Sequence, residues 1–434
     1  VTQRDQRHKQ HGRAGARTRA VPVTQRAQQP SAAARTRPRR ALSHPEGRSE
    51  RHGDEDASRA LEAALAVSNV GADRFTHGFH VYPARMHPAI ARAALQTWSR
   101  PGARVLDPCC GSGTVLIEAM LGARHAVGVD LSPLALRIAA VQSERRDASA
   151  RAGFLRALEF VTSASLERVR SRTRARASLS ARERALYEPH VLLELAGLLD
   201  EIRAVQPPAD RVALEVVFSA LLIKFSRQRA DTSSELVQKR IRKGLCSEFF
   251  LRKGRELVER WAALDAALAD NHVAPRLIAG DARQLPELLG EQRFDLVLSS
   301  PPYGGTYDYH TQHALRCAWL GLDASALERA ELGARRRLSQ AKDASRLWDR
   351  ELAAYLRAVA AVCEPSASLV LLLGDAQVGG VRVEANAQVK RLAAAAGLEW
   401  IAAASQARAD YQRGPERAES LILLRPAPKA AAQR

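Results

Sequence analysis

The chain has 434 residues, 46% of them apolar, enough to bury one large or two ordinary domains. A net charge of +19 and a pI near 10.5 favour polyanionic partners, of which nucleic acid is the commonest soluble one. The lack of an apolar run of about 18 residues argues against a membrane partner, and five cysteines, only Cys109 and Cys110 adjacent, offer neither a disulfide framework nor metal-ligand spacing. No metal is expected, and a reducing cytoplasm is the simplest compartment.

Residues 1–57 are rich in Arg, Gln, Ala, Pro and Ser and nearly free of large apolar side chains, a composition that predicts a disordered basic tail. Over residues 1–52, 13 Lys and Arg stand against three acids, a net +10. Ala57 to Val70 predicts a short helix leading into the globular part. The loop Phe79-His80-Val81-Tyr82-Pro83-Ala84-Arg85 then precedes a helix starting near His87-Pro88, where proline suits the first turn.

Ala103–Asp107 predicts a strand that runs into Pro108-Cys109-Cys110-Gly111-Ser112-Gly113-Thr114 and then into a helical pattern at Val115, Leu116, Ala119 and Met120. Strand, glycine turn and helix in that order form the first unit of a doubly wound α/β sheet, which binds its ligand where the strands end. A second strand, Ala126–Asp130, ends on an acid seventeen positions after Gly113. There a carboxylate meets ribose hydroxyls in nucleoside-binding sheets; with Leu131-Ser132-Pro133 following, Asp130 also suits a helix N-cap. Leu116 at the third glycine place speaks against a dinucleotide.

Residues 145–273 break the alternation with helical patterns over Val191–Ile202, Val212–Phe225, Ser233–Leu245 and Glu248–Leu268, and predict a helical insert. Within it, basic residues at 224–229 and 239–243 accompany Phe249 and Phe250. On so basic a chain Arg227, Arg229, Arg242 and Lys243 become candidates for nucleic-acid phosphate contact, with a solvated helix face as the alternative. The α/β pattern resumes with strands at Arg276–Asp281, Phe294–Leu298, Ser368–Leu373, Leu398–Ala403 and Ser420–Leu424, and helices at Arg346–Val362 and Glu384–Ala396. Seven strands result, the last two expected as antiparallel neighbours at the edge.

The Phe294–Leu298 strand delivers Ser299-Ser300-Pro301-Pro302-Tyr303. Two prolines lock φ and remove two backbone donors, which leaves carbonyl acceptors beside an aromatic ring. Such a set suits a planar amino group: the ring stacks on the heterocycle while Ser300 Oγ and a carbonyl accept from its NH2. A proline loop that merely caps a strand is the plainer alternative. Downstream, Gly304-Gly305-Thr306-Tyr307-Asp308-Tyr309-His310 has the glycines and rings of a loop closing over a base.

The Asp107–Thr114 and Ser300–Tyr303 motifs together resemble those of the S-adenosylmethionine-dependent amino methyltransferases of nucleic acids, closest to the DNA cytosine-N4 and adenine-N6 group. The resemblance covers residues 79–130 and about 276–424. It implies an α/β, class I (Rossmann-like) fold with a seven-stranded, mostly parallel sheet. The methyltransferase domain would span 58–144 and 274–426, with the tail (1–57) and insert (145–273) unmatched, the insert a candidate nucleic-acid-binding subdomain. S-adenosyl-L-methionine would be the cofactor, held by Asp107, Gly111, Ser112, Gly113, Thr114, Asp130 and Asp281, with His80, Tyr82 and Arg85 flanking its methionine end.

Ser300, Pro301, Pro302 and Tyr303 would be catalytic, with Tyr307 and Tyr309 contacting nucleic acid. Serine at position 300, where adenine-N6 and guanine-N2 enzymes show Asp or Asn, resembles the cytosine-N4 branch acting on double-stranded DNA. That branch brings a restriction endonuclease into consideration as a partner. RNA guanine-N2 (tRNA or rRNA) or DNA adenine-N6 methylation is the alternative, and a DNA-binding protein with an inactive cofactor fold the non-enzyme one.

Overall fold

Runs of β-branched and leucine residues, bounded by Gly, Pro or Asp, set most of the strands of the sheet. The structure, a computed structural model, describes residues 48–67, 70–173, 175–231, 233, 235–408 and 417–428. The expected basic tail lies outside the described residues as far as residue 47. In chain order the strands are β1 (Ser49–Gly53), β2 (Arg104–Asp107), β3 (His125–Asp130), β4 (Arg276–Ala279), β5 (Phe294–Ser299), β6 (Cys363–Gly374), β7 (Ala376–Val378), β8 (Val381–Val383), β9 (Leu398–Arg408) and β10 (Arg417–Pro426).

Eight of these form one sheet in the order β1-β9-β10-β6-β5-β2-β3-β4, and β7 with β8 makes a separate hairpin. Strands β2 to β6 pair in parallel, whereas β10 runs antiparallel to both β6 and β9. From β2 the chain winds to one side through β3 and β4, then to the other through β5 and β6. The crevice beyond the ends of β2 and β5 is therefore the topological switch point, where open α/β sheets take their ligands. This is the seven-stranded, mostly parallel sheet expected from the resemblance, with one strand added at its edge.

Buried parallel strands read as continuous apolar runs because both faces are covered. Val105, Leu296, Leu298, Val370 and Leu372 face the layer of helices Glu55–Leu65, Pro88–Trp98 and Thr114–Leu121. Their neighbours Leu106, Val297, Leu369 and Leu371 face helix Ala344–Ala361 through Trp348, Leu352 and Tyr355. No described helix is long and apolar enough to cross a membrane.

Several expectations need correction. Residues 49–53, placed in the tail, form β1 along the β9 edge, and helix Glu55–Leu65 begins inside the same predicted tail. The last strand, β10, inserts between β6 and β9 and so is not at the edge. Among the described residues of 233–244 no helix forms: Lys239 Nζ instead donates to the carbonyls of Ile223, Lys224 and Gln228 at 3.1, 3.1 and 2.8 Å, satisfying acceptors at the end of helix Pro208–Phe225. A 24-residue helix, Ala148–Ser171, carries no clear apolar period in the sequence and was not expected.

Within 145–273 the long helices are Ala148–Ser171, Pro189–Arg203, Pro208–Phe225 and Leu245–Ala267. They share one apolar cluster with Leu134, Ile138 and Val141 beside the sheet and with Leu315 and Trp319 after the double proline. The fully buried Trp261 joins the two parts. Its indole N–H donates to the Val141 carbonyl at 2.9 Å, its ring meets Phe154 edge-on at 5.0 Å, and the Arg146 guanidinium lies 4.4 Å from its centre. Trp261→Ala should cost about 3–5 kcal/mol and lower the melting of sheet and insert together; calorimetry in which a destabilised insert melts ahead of an unshifted sheet would contradict this shared core.

Candidate active site

At the carboxyl ends of β2, β3, β4 and β5 a cleft opens. Each strand contributes its terminal loop: Asp107 to Ser112 after β2, Asp130 to Ser132 after β3, Gly280 to Ala282 after β4, and Ser300 with Pro302 after β5. Tyr82, Arg85 and Met86 close one side. Tyr309 and Glu331 close another.

The glycine loop is shaped by a carboxylate. Asp130 accepts the Gly111 N–H and the Ser132 N–H, both at 2.8 Å, so the end of β3 holds the loop that leaves β2. The N-cap of the following helix is Ser132, whose Oγ accepts from the Ala135 N–H at 3.3 Å, and not Asp130. Gly111 and Gly113 have φ of 51° and 85°, in the left-handed region where a side chain is strained. A Cβ on Gly111 would lie 2.9 Å from the Tyr82 ring, and one on Gly113 3.2 Å from the Ala139 Cβ. These glycines thus admit a ring and a helix of the chain itself; Gly111 lines the cleft, but Gly113 does not.

Acids dominate the floor. Asp107 accepts from Ser299 Oγ at 2.7 Å and from the Cys109 N–H at 3.2 Å, yet burial pushes its carboxyl up to about 7. Burial likewise raises Asp130 to about 6, against the pull of its backbone donors. Asp281 is paired with Arg283 at 2.6 Å. Ser112 Oγ and Thr114 Oγ1 are buried without a hydrogen-bond partner among the described residues. Two acids without an ion-pair partner among the described residues and two orphaned hydroxyls fit a ligand that brings positive charge and polar groups of its own. S-adenosyl-L-methionine, with a sulfonium, an ammonium, a carboxylate and ribose hydroxyls, answers that description.

The aromatic wall differs from the one expected. Ser300 and Pro302 line the cleft and Pro301 is buried beside them. Tyr303, expected to stack on a base, is only 7% exposed and outside the lining, its phenol donating to Glu419 at 2.8 Å. Its ring occupies the space a Cβ on Gly374 would need, 2.6 Å away, so the missing side chain at the end of β6 draws the ring inward. From there a ladder of rings runs outward: Tyr303 to Tyr307 at 6.2 Å, Tyr307 to Tyr309 at 5.5 Å, and Tyr309 stacked on Tyr82 at 5.9 Å and 20°. Tyr82 and Tyr309 line the cleft; Tyr307 does not.

Other expected contacts are redirected. His80 is buried away from the cleft, with Nε2 on Ser219 Oγ at 2.7 Å and Nδ1 on the Val81 carbonyl at 2.8 Å, so it ties the flanking segment to the insert. Burial holds its imidazole well below the usual range. Arg85 does line the cleft, while donating to Asp73 at 3.1 Å and to the Ala72 carbonyl at 3.2 Å.

In the insert, Arg227 pairs with Glu188 at 2.8 Å, Arg229 with Glu235 at 2.7 Å and Arg242 with Glu248 at 2.6 Å. Their charge is thereby compensated within the insert. Phe250 is fully buried, and Phe249 lies between Lys224 and Arg252. Glu331 carries no signal in the sequence: buried in the cleft wall, it accepts the N–H groups of Tyr309 at 2.6 Å and His310 at 3.2 Å and pairs with Arg336 at 2.7 Å. It fixes the start of the helix that presents Tyr309, and only a fold that brings 331 back to 309 reveals it.

Residues 24–141 match the family model described as DNA methylase. The chain is 31% identical over 74 residues to the Type II methyltransferase M.MjaII of Methanocaldococcus jannaschii, 17% of this chain and 14% of that protein. It is 34% identical over 73 residues to the Type II methyltransferase M.MvaI of Kocuria varians, 16% of each. Over 64 residues, 14% of this chain and 21% of the relative, it is 44% identical to the ribosomal protein L11 methyltransferase of Chromohalobacter salexigens. The aligned stretches therefore span less than a quarter of each relative.

Asp107 also yields a stability prediction. Its folded value near 7 lies above the roughly 3.9 of a free aspartate, so the folded chain keeps a proton that the unfolded chain releases. Its contribution is full below about pH 4 and is lost as pH rises through about 7. Asp107→Asn, which cannot ionise, should gain stability relative to the parent by of order 1.5 kcal/mol at about pH 5, rising to about 4 kcal/mol by about pH 8. Urea unfolding of both proteins across that range measures the difference, and parallel profiles would rule out the buried acid as its source.

Proposed function

We propose that this chain, a member of the N4/N6 amino methyltransferase family with S-adenosyl-L-methionine as its cofactor, methylates an exocyclic amino group of a nucleic-acid base, N4 of cytosine in double-stranded DNA. The observation that carries this reading is that Ser300 and Pro302 line the same cleft as Asp107, Asp130 and the glycine loop. A group accepting from an amine and a site for a cationic donor then share one enclosure.

In this reading Asp107, Asp130, Ser112 and Thr114 bind the cofactor, with Asp281, Tyr82 and Arg85 around them. Bound there, the cofactor supplies an electrophilic methyl group. Ser300 Oγ and the carbonyls of the proline loop accept from the target NH2 and turn its lone pair out of conjugation with the ring, since the two prolines leave no N–H to compete. The interaction strengthens as the nitrogen becomes tetrahedral, which is what accelerates transfer. Tyr309 and Tyr82 offer the ring faces for the base, a stacking interaction worth about 1–3 kcal/mol, while Tyr303 supports the loop from beneath.

Mass spectrometry of nucleosides, after incubation of the protein and cofactor with DNA and with structured RNA, tests the assignment. N4-methylcytosine in DNA is expected. N6-methyladenine or N2-methylguanine would replace the target, and no product despite cofactor binding would leave the inactive-fold reading. Ser300→Ala should lower the single-turnover rate more than substrate affinity. Tyr309→Ala should lower affinity by about tenfold or more. Tyr303→Phe, which deprives Glu419 of a buried donor, should destabilise the protein by about 1–3 kcal/mol; a silent Tyr303→Phe would contradict that supporting role.

A further inference from the structure

Of the basic residues that the sequence singles out in the insert, Arg227, Arg229 and Arg242 are paired with glutamates, whereas Lys243 has no carboxylate partner among the described residues. Positions 168–176 carry Arg168, Arg170, Arg172, Arg174 and Arg176, five arginines in nine residues. This stretch closes helix Ala148–Ser171, where Arg172 takes a left-handed backbone with φ of 55° and turns the chain back along helix Pro189–Arg203. Gly197 on that helix permits the approach, since a Cβ there would lie 3.2 Å from Arg168 Cδ and 3.9 Å from the Ala175 Cβ.

Between the two helices and the turn before helix Leu245–Ala267 lies a cavity of about 240 Å³. Its floor is apolar, from Val169, Leu193 and Gly197, and Leu193 is 47% exposed there. Arg168, Arg172 and Lys243 bring positive charge. Arg168 is bound to Glu201, whereas Arg172 and Lys243 have no carboxylate partner among the described residues. Glu194, the one acid on the wall, is engaged: it accepts the N–H groups of Gly244 and Ser247 and the Ser247 hydroxyl, each at 2.9 Å, and so caps the start of helix Leu245–Ala267.

We infer that this cavity is a docking site for the sugar-phosphate backbone of a DNA duplex, with Arg172 and Lys243 each on a phosphate and the Leu193 floor beneath the sugar. The inference rests on the nucleic-acid reading of the cleft and adds a surface to it. A guanidinium and an ammonium that are unpaired above an apolar floor bind a phosphodiester without first breaking an internal ion pair. The Arg229 and Arg242 side of the insert must break its glutamate pairs first.

The test is fluorescence anisotropy of a short cytosine-containing duplex across a salt series, with no catalysis required. Arg172→Gln with Lys243→Gln should reduce the slope of log affinity against log salt by about 1.8, near 0.9 for each phosphate that is no longer neutralised. Arg229→Gln with Arg242→Gln should change it by less than half as much. Cofactor affinity by calorimetry should match the parent in both, which separates loss of the surface from loss of the fold. A parental slope in the first variant, or an equal reduction in the second, overturns the proposal. Methylated product is scored separately: a parent that makes none while the slope falls as expected sinks the proposed reaction and leaves this surface standing. Normal methylation with an unchanged slope sinks the surface alone.

Discussion

Asp107 and Ser299 are the last residues of neighbouring parallel strands, and the 2.7 Å hydrogen bond from Ser299 Oγ to the Asp107 carboxylate holds the two loops of the cleft at one separation. The pairing of Val105 with Leu296 and of Leu106 with Val297 sets the register that makes this bond available. A slip of one residue would turn every side chain of β5 to the other face, carrying Ser299 away from Asp107 and Ser300 out of the cleft. Beyond this bond the glycine loop is held a second time, by Asp130 from the end of β3. The cleft is therefore organised by backbone register and two buried carboxylates, both raised by burial. Water excluded from such acids strengthens any charge that does reach them.

What could be read from the sequence follows from where the signal is local. Strands β2, β3 and β5 announce themselves because each is a short apolar run ended by Asp or by a double proline, and the motifs they carry follow directly. Strand β1 does not. Its residues, Ser49-Glu50-Arg51-His52-Gly53, are polar and exposed, and they form a strand only because the edge of β9 offers backbone partners. Likewise residues 233–244 have helical composition, but Lys239 draws the loop onto the end of another helix. The inward turn of Tyr303 depends on the absence of a side chain at Gly374, seventy-one positions away, and Glu331 reaches Tyr309 across twenty-two. Such contacts carry no sequence period, so only the fold reveals them.

The insert adds a constraint that the cleft alone lacks. Arg316, on the helix that follows the double-proline loop, is 2% exposed; it donates to the Ser219 carbonyl at 3.1 Å and pairs with Asp231. His80, from the segment flanking the glycine loop, bonds the hydroxyl of the same Ser219. Two walls of the cleft are thus anchored on one residue of helix Pro208–Phe225. A buried guanidinium is tolerated only with its partners in place, so wall and insert cannot separate without leaving that charge uncompensated. Under the proposed reading, a polyanion engaged by the insert would be held against a surface whose relation to Tyr309, Ser300 and Asp107 is set by the folded chain. Positioning of the target would then come from the rigidity of the protein, and the adaptation needed to bring a base to the cleft would fall to the nucleic acid.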